Sequence, residues 1–348
     1  MSGYTIKIIN PCEIENWNNE ILRMNNYSFF HSSEWSQVLS DTYYYKPKYF
    51  CLFRNGELSA VVPAMVIKSK LTGSRIVSLP FSDVCEPLFS SIDDLENVKE
   101  FIFNYCDNNE LRYMEFRTSE LKFPFETENF RTDLRHFLDI AADENKLYKL
   151  LSENSRRNIK SAGKDGLTIK ELNSFEAVKI FYRLQCFTRR KHGLPPQPES
   201  FFTNIYKYII SKGKGDILIA YLNNIPVAAL MFFRIGTKVL YKFGASSDSN
   251  LPKGANHLLM WEAIKKYSRL GYKEFDFGRT ETNHEGLRRF KLGFGADERI
   301  IYTTRYDIAN KTFVSAGTKT TGIHNKIFKH TPLLLLKFIG NTIYKHMG

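Results

Sequence analysis

One arrangement of residues occurs twice in this chain, and it limits the fold more than any other feature. Residues 49–53 form an apolar run that meets a turn at Asn55-Gly56, and a second apolar run follows at 58–62. The same order returns at 217–221, Asn223-Asn224 and 227–230. A short turn of this kind between two apolar runs is a strong hairpin signal. Farther on, residues 101–105 lead into 113–118, and residues 262–267 lead into 274–280 in the same way. The offsets agree: 168 residues from 55 to 223, 162 from 105 to 267, and 161 from 116 to 277. That period is too long for a solenoid. It predicts two similar domains, each a mixed α/β (α+β) sheet with helices packed on it.

The chain has 348 residues, of which 43% are hydrophobic and 14% aromatic, enough for two ordinary cores. The expected division is 1–140 for the first domain, 141–308 for the second, and 309–348 for a C-terminal tail. Residues 1–10 show no basic stretch followed by an apolar core, and the apolar run at 227–233 is far short of a membrane span. A cytoplasmic protein is expected. The five cysteines are scattered without paired ligand spacing, which argues against structural zinc and a disulfide framework.

The net charge of +12 suits a partner rich in phosphate or carboxylate. No acidic residue follows Asp307, whereas Lys311, Lys319, Lys326, Lys329, Lys337 and Lys345 do. In the tail these lysines interleave with Ile323, Ile327, residues 333–336, Phe338, Ile339 and Ile343, and Pro332 is expected to break the segment in two. Two readings fit the pattern: an interfacial helix on anionic lipid at the inner membrane surface, or an amphipathic helix docked on its own protein.

Helices are expected at 145–162, 175–191, 201–211, 255–270 and 285–292, with Ser33 capping a short helix through Trp35. Strands are expected at 4–9, 75–79, 135–140, 239–244 and 299–306. No dinucleotide or nucleotide-triphosphate glycine loop is present, nor a histidine pair at metal spacing. Asp276-Phe277-Gly278 spells a kinase metal-binding triplet, but no matching lysine strand or catalytic loop precedes it.

The residues with chemical potential cluster between 241 and 295. Residues 252–256 open a helix, so Gly254 and Asn256 offer either an anion site or an ordinary loop and cap. Arg279, after Gly278, presents a forked donor to phosphate or carboxylate, or else pairs with Asp276. Lys291 follows the aromatic Phe290, and is either fixed to stabilise a developing oxyanion or a solvated helix lysine.

The string from Lys253 to Gly295 resembles the FemAB-type proteins, relatives of the peptidoglycan interpeptide-bridge aminoacyltransferases. Residues 276–280 and 290–295 carry much of the likeness. Residues 30–35, 78–83, 155–160 and 188–195 are similar to that group as well. The resemblance spans roughly residues 25–305 and implies two tandem acetyltransferase-like (GNAT) domains. It implies transfer of an acyl or aminoacyl group to an amine, with aminoacyl-tRNA or acyl-coenzyme A as donor co-substrate and no tightly bound cofactor. The implied acceptor is a cell-envelope precursor of peptidoglycan or surface polysaccharide. Leu251 stands where acetyl-coenzyme A enzymes place Arg or Gln before their pyrophosphate loop.

Carried over to this sequence, the resemblance makes Lys291 the electrostatic stabiliser and Arg279 a clamp on an anionic group. Asp83 is assigned to orient or deprotonate the amine. Arg156, Arg157, Arg189 and His192 are assigned to a basic groove. Trp35 and Tyr241 are substrate-facing aromatics or core residues, while Asp276, Phe290, Gly254 and Asn256 complete the binding set. The rival reading is a degenerate, non-catalytic double domain that holds RNA or an anionic polymer.

Overall fold

The computed structural model describes residues 3–119, 123, 130–247, 251–315 and 323–348. Lys319, which entered the reading above, lies outside them. The chain forms two compact units, Met1–Leu134 with Ile300–Thr318 and Tyr344–Gly348, and Arg135–Arg299 with Lys319–Ile343.

The first unit contains β1 (Tyr4–Ile9), α1 (Trp17–Arg23), α2 (Ser33–Tyr43), β2 (Lys46–Pro47), β3 (Tyr49–Arg54), β4 (Glu57–Val62), β5 (Met65–Ser69), β6 (Gly73–Val77), β7 (Leu88–Phe89), α3 (Ile92–Asn108) and β8 (Tyr113–Thr118). Then β9 (Phe130–Asp139) leads to α4 (Glu144–Leu150), α5 (Glu153–Lys164), β10 (Thr168–Leu172), α6 (Phe175–Lys191), α7 (Glu199–Ile205), β11 (Gly215–Leu222), β12 (Ile225–Ile235), β13 (Lys238–Ser246), α8 (Ala255–Arg269), β14 (Glu274–Glu281) and α9 (Glu285–Leu292). Last come β15 (Asp297–Asp307), β16 (Thr312–Val314), α10 (Ile323–His330) and α11 (Leu333–Ile343).

In the first unit the Asn55-Gly56 turn closes β3 onto β4 as expected. Both residues have positive φ, +50° and +86°, as a two-residue turn matching the strand twist requires. Arg54 pairs with Glu57, and Ser59 is an extra residue between the pairs Phe53–Leu58 and Leu52–Ala60. β1 and β7 flank this hairpin in a four-stranded sheet. A separate run in the order β15-β8-β6-β5-β2 includes the parallel pair β6–β8. That pair is joined through α3 and matches Arg75–Tyr113, Ile76–Met114 and Val77–Glu115. Ser91 starts α3 by accepting the amide of Asp94, and Leu95, Val98, Ile102 and Cys106 bury one face of the helix. That face packs in one core with Phe50, Leu52, Ile76 and Phe116.

The second unit repeats the turn, the bulge and the parallel pair. Asn223 and Asn224 also take positive φ, +51° and +62°. Leu222 pairs with Ile225, and Val227 is the extra residue between Tyr221–Pro226 and Ala220–Ala228. The strands run in the order β10-β11-β12-β13-β14-β9. The parallel pair β13–β14 matches Lys238–Glu274, Val239–Phe275 and Leu240–Asp276, with α8 as the crossover. Turn, bulge and parallel pair thus recur at the offsets read from the sequence, and each unit is a mixed sheet flanked by helices. One difference stands out. β12 is a continuous strand of eleven residues, whereas its counterpart is divided into β4 and β5 at Pro63, which has no N–H for a ladder.

Three local expectations need correction. The helix expected over 145–162 is two helices, because Leu151 is extended and the Ser152 side chain starts α5 by accepting the amide of Ser155. The cap of α2 is Ser32, which accepts the amide of Trp35, and not Ser33. The helix expected over 201–211 is α7 followed by a wider turn at Tyr206–Ile210. Pro332 does separate α10 from α11.

Candidate functional site

The distinctive geometry of the second unit is a pair of parallel strands that part company. β13 has nine residues and β14 eight, yet they pair over three residues only. Immediately beyond this stretch each strand changes course. On β13, Met231 faces Phe243 while Phe232 faces Tyr241, so Lys242 is the extra residue of a bulge. A bulge bends and twists its strand. On β14, Gly278 has φ +70°, a conformation that favours glycine, and its N–H donates to Asp276 Oδ1 at 2.7 Å. The ladder between β13 and β12 continues to Ser246, so β13 keeps its other neighbour. At its far end the Thr188 hydroxyl of α6 accepts the Ser246 amide at 2.9 Å and donates to the Ser246 carbonyl at 3.1 Å. The result is a gap opening toward the carboxyl ends of β13 and β14, where sheet proteins of this kind hold ligands. No sequence signal marked Lys242 as a bulge, since any residue type can occupy that position.

Lys291 stands behind β14. It projects from α9, is 1% exposed, and donates from Nζ to the carbonyls of Gly278 at 2.8 Å and Arg279 at 3.0 Å. The ammonium therefore ties α9 to the irregular part of β14, which places it and Arg279 together. The neighbouring Asp276 is buried and held by Arg135, with Nε at 3.0 Å and Nη2 at 2.8 Å from Oδ2. The partner of Asp276 is thus Arg135, and not the Arg279 considered from the sequence.

Sequence reasoning missed His136. It is fully buried, with Nε2 3.0 Å from Glu298 Oε2 and Nδ1 3.4 Å from Thr280 Oγ1. Burial, followed by the positive charge of Lys291, holds its pKa below the ordinary histidine value. Glu298 is pulled below the usual carboxylate range, chiefly by its bond to Arg288. A histidine within an apolar-polar strand pattern gives no sign of a distant lysine, which is why the cluster was not legible.

Gly254 precedes α8 with φ +85°, and a Cβ there would come within 2.3 Å of the Asn158 carbonyl oxygen. The glycine thus lets the main chain of α5 approach the start of α8, where Asn256 is the second residue. Pro252 contributes no N–H to this turn, and its carbonyl accepts the amide of Ala255. Phe290 is half-buried, with its ring 4.8 Å from His257 and 5.2 Å from Phe294.

On α5, Arg156 donates to the Lys149 carbonyl and lies over Tyr148, while the exposed Arg157 donates to Asn154. Arg189 bonds the Pro195 carbonyl at 3.3 Å near the end of α6. His192 caps that helix, its pKa lowered by burial first and then by Arg189 and His284. Tyr241 lies at the bulge with its ring 5.7 Å from Phe232, and burial pushes its hydroxyl pKa up. Two candidates belong to the first unit. Trp35 is fully buried, donating to Ser82 Oγ at 3.1 Å and packing against Phe30, and Asp83 follows in the same loop as Ser82.

Residues 151–298 match the family described as the acetyltransferase (GNAT) domain. A tandem GNAT protein from the clavulanic acid biosynthesis pathway superposes with a TM-score of 0.53 at 6% identity, covering 87% of this chain and 98% of that one. The fold is that of a tandem GNAT protein. Within that class the FemAB-type resemblance holds at the level of fold. FemX is similar with a TM-score of 0.65 at 14% identity, over 86% of this chain and 96% of that one. The L-PGS of Bacillus licheniformis is similar with a TM-score of 0.57 at 13% identity, over 95% and 98% of the two chains. No curated protein sequence matches the chain.

Proposed function

We propose that this protein transfers an activated aminoacyl or acyl group to an amine of a cell-envelope precursor. The observation that carries the reading is the parting of β13 and β14 beside a bulge, with Lys291 and Arg279 anchored on the strand that turns away. A gap between parallel strands admits an extended donor arm. The acceptor amine attacks the donor carbonyl, the carbonyl oxygen gains negative charge, and the alkoxide or thiolate leaves as the new amide forms. The attacking nitrogen gives up one proton in the process. Lys291, held in low dielectric, supplies positive charge to the developing oxyanion. Arg279 holds an anionic group of donor or acceptor. The names FemX and L-PGS support an envelope acceptor by likeness of fold.

For the donor, two features favour aminoacyl-tRNA over acyl-coenzyme A. The start of α8 carries Leu251 and Pro252 where a pyrophosphate requires donors, and the Asn158 carbonyl lies against Gly254 in the same place. The surplus of positive charge suits either donor, since both carry phosphates. The test supplies purified protein with labelled aminoacyl-tRNA or labelled acyl-coenzyme A and an envelope-precursor fraction, and follows label by mass spectrometry. Label in the precursor from aminoacyl-tRNA is the expected result. Label only from acyl-coenzyme A overturns the donor assignment. Binding of RNA with no transfer from either donor overturns the enzyme reading.

A further inference from the structure

The last two helices of the second unit have one face that serves its own protein and another that does not. α11 packs beside α6: Leu336 is fully buried, and a Cβ on Gly340 would come within 2.0 Å of the Pro196 carbonyl oxygen in the loop that follows α6. Lys337 lies over the Tyr182 ring at 4.9 Å, and Asn325 of α10 donates to the Gly193 carbonyl at 3.0 Å. One helix face is therefore committed to internal packing. The opposite face of α11 presents Leu334 at 83% exposure, Phe338 at 69% and Leu335 at 50%. Residues 334 and 338 are one turn apart on the helix, so the three side chains form a single apolar ridge. On α10 the exposed Ile327 lies between the exposed lysines Lys326 and Lys329.

The first unit has the same pairing of apolar tip and positive charge. The turn between β5 and β6 exposes Leu71 at 75%, with the exposed lysines Lys68 and Lys70 in the same turn region. His346 is bonded to that turn, since its Nδ1 lies 2.9 Å from Ser69 Oγ and its carbonyl accepts from Thr72. It is flanked by exposed Lys345 and Met347.

We propose that the α10–α11 face docks on an anionic lipid bilayer, with Leu334, Leu335 and Phe338 among the acyl chains and Lys326 and Lys329 at the headgroups. Charge complementarity selects this occupant. No Asp or Glu occurs in the sequence beyond Asp307, so α10 and α11 bring no negative side chain of their own to a negative surface. A second copy would instead bring like charges together. No helix among the described residues is long and apolar enough to cross a membrane, so the contact is interfacial. The inference deepens the envelope-acceptor reading by bringing the protein to the surface that bears such precursors, but its test uses no turnover.

The test is flotation of full-length protein with phosphatidylcholine vesicles, alone or mixed with phosphatidylglycerol. Flotation with the mixed vesicles only, declining with salt, is expected. Leu334→Asp combined with Phe338→Asp should lower partitioning at least about tenfold. Lys326→Glu with Lys329→Glu should lower partitioning to mixed vesicles, on the order of fivefold per lysine, and serves equally if the first variant fails to fold. Equal flotation of wild type and both variants overturns the proposal. So does a wild-type dimer that the first variant abolishes in the absence of lipid, because the ridge then covers a second copy. Transfer to a soluble acceptor, measured separately, should be unchanged in the variants. Its failure in wild type counts against the transfer reading alone.

Discussion

Glu115 and Asp276 occupy the same place in their respective units. Each is the last partner in a three-residue parallel pairing, each is buried, and each is held by arginine. Glu115 accepts from Arg117 at 2.8 Å and from Arg305 at 2.6 Å, while Asp276 accepts from Arg135. The charges of Arg117 and Arg305 offset the effect of burial and hold the Glu115 pKa below the usual range. Removing one partner of a buried pair leaves an unmatched charge and costs about 3–5 kcal/mol. Asp276→Ala should lose stability in that range in denaturant titration. Asp276→Asn should lose less, since its amide oxygen still accepts the Gly278 amide. Equal losses would mean that the Arg135 charge is satisfied elsewhere.

Lys291 joins a structural bond pattern to the proposed chemistry, and the two can be separated. Lys291→Met keeps most of the side-chain volume but removes two donors from buried carbonyls, a loss of about 1–3 kcal/mol. If the ammonium also stabilises the oxyanion, turnover should fall by about 10²–10³ with little change in KM. Unfolding and steady-state kinetics on the same preparation read both effects. Reduced stability with wild-type turnover would restrict Lys291 to holding α9 on β14.

Gly254→Ala combines a positive φ with a main-chain clash, whereas Gly56→Ala meets only the first problem because nothing lies within 4 Å of its added Cβ. The strain of such a backbone conformation costs about 1–3 kcal/mol. Gly254→Ala should lower the melting temperature clearly more than Gly56→Ala. Asn158→Gly should not rescue it, because the atom approached is a carbonyl oxygen. Similar losses for the two variants would show that α5 shifts freely away from α8.

Acid should weaken the fold in two stages. The His136 pKa is lowered in the folded protein, so below about 6.5 the unfolded chain binds a proton that the native chain refuses. Stability therefore falls as pH drops through that region. His192 and His257, lowered chiefly by burial, act in the same direction. Glu298 has a depressed pKa, so its contribution is present above the ordinary glutamate value and is lost as pH falls through its lowered one. His136→Gln should flatten the pH dependence of the melting temperature near and below pH 6.5 without removing it. An unchanged slope would exclude His136 as a contributor.

The duplication was legible because both hairpins advertise themselves through asparagine and glycine turns between apolar runs, and both crossover helices precede a strand with an acid at the same place. Gly254 was legible as the opening of a helix, but the positive φ of Gly254 and of Gly278 was not. Lys291 could be singled out, but its two carbonyl partners could not, because they depend on how α9 meets β14. The break at Leu151 was not read, although Ser152 is a residue type that starts helices. The gap between β13 and β14 arises from a bulge at Lys242, a lysine that looks like any other in the sequence. His136 and Arg135 were invisible as partners because each finds its carboxylate more than 130 residues away.

The proline at position 63 gives the two units different mechanical continuity. In the second, the eleven-residue β12 pairs with β11 from Ile225 to Phe233 and with β13 from Ala228 to Ile235, like a single warp thread in a cloth. In the first, the thread is cut: β4 serves one sheet, β5 another, and the Ala64 carbonyl between them accepts the Lys48 amide. Amides along β12 should accordingly exchange with deuterium as one slow group, while those of β4 and β5 follow two separate clocks. The division at Pro63 thus leaves one copy of a repeated plan as a single block and the other as two leaves.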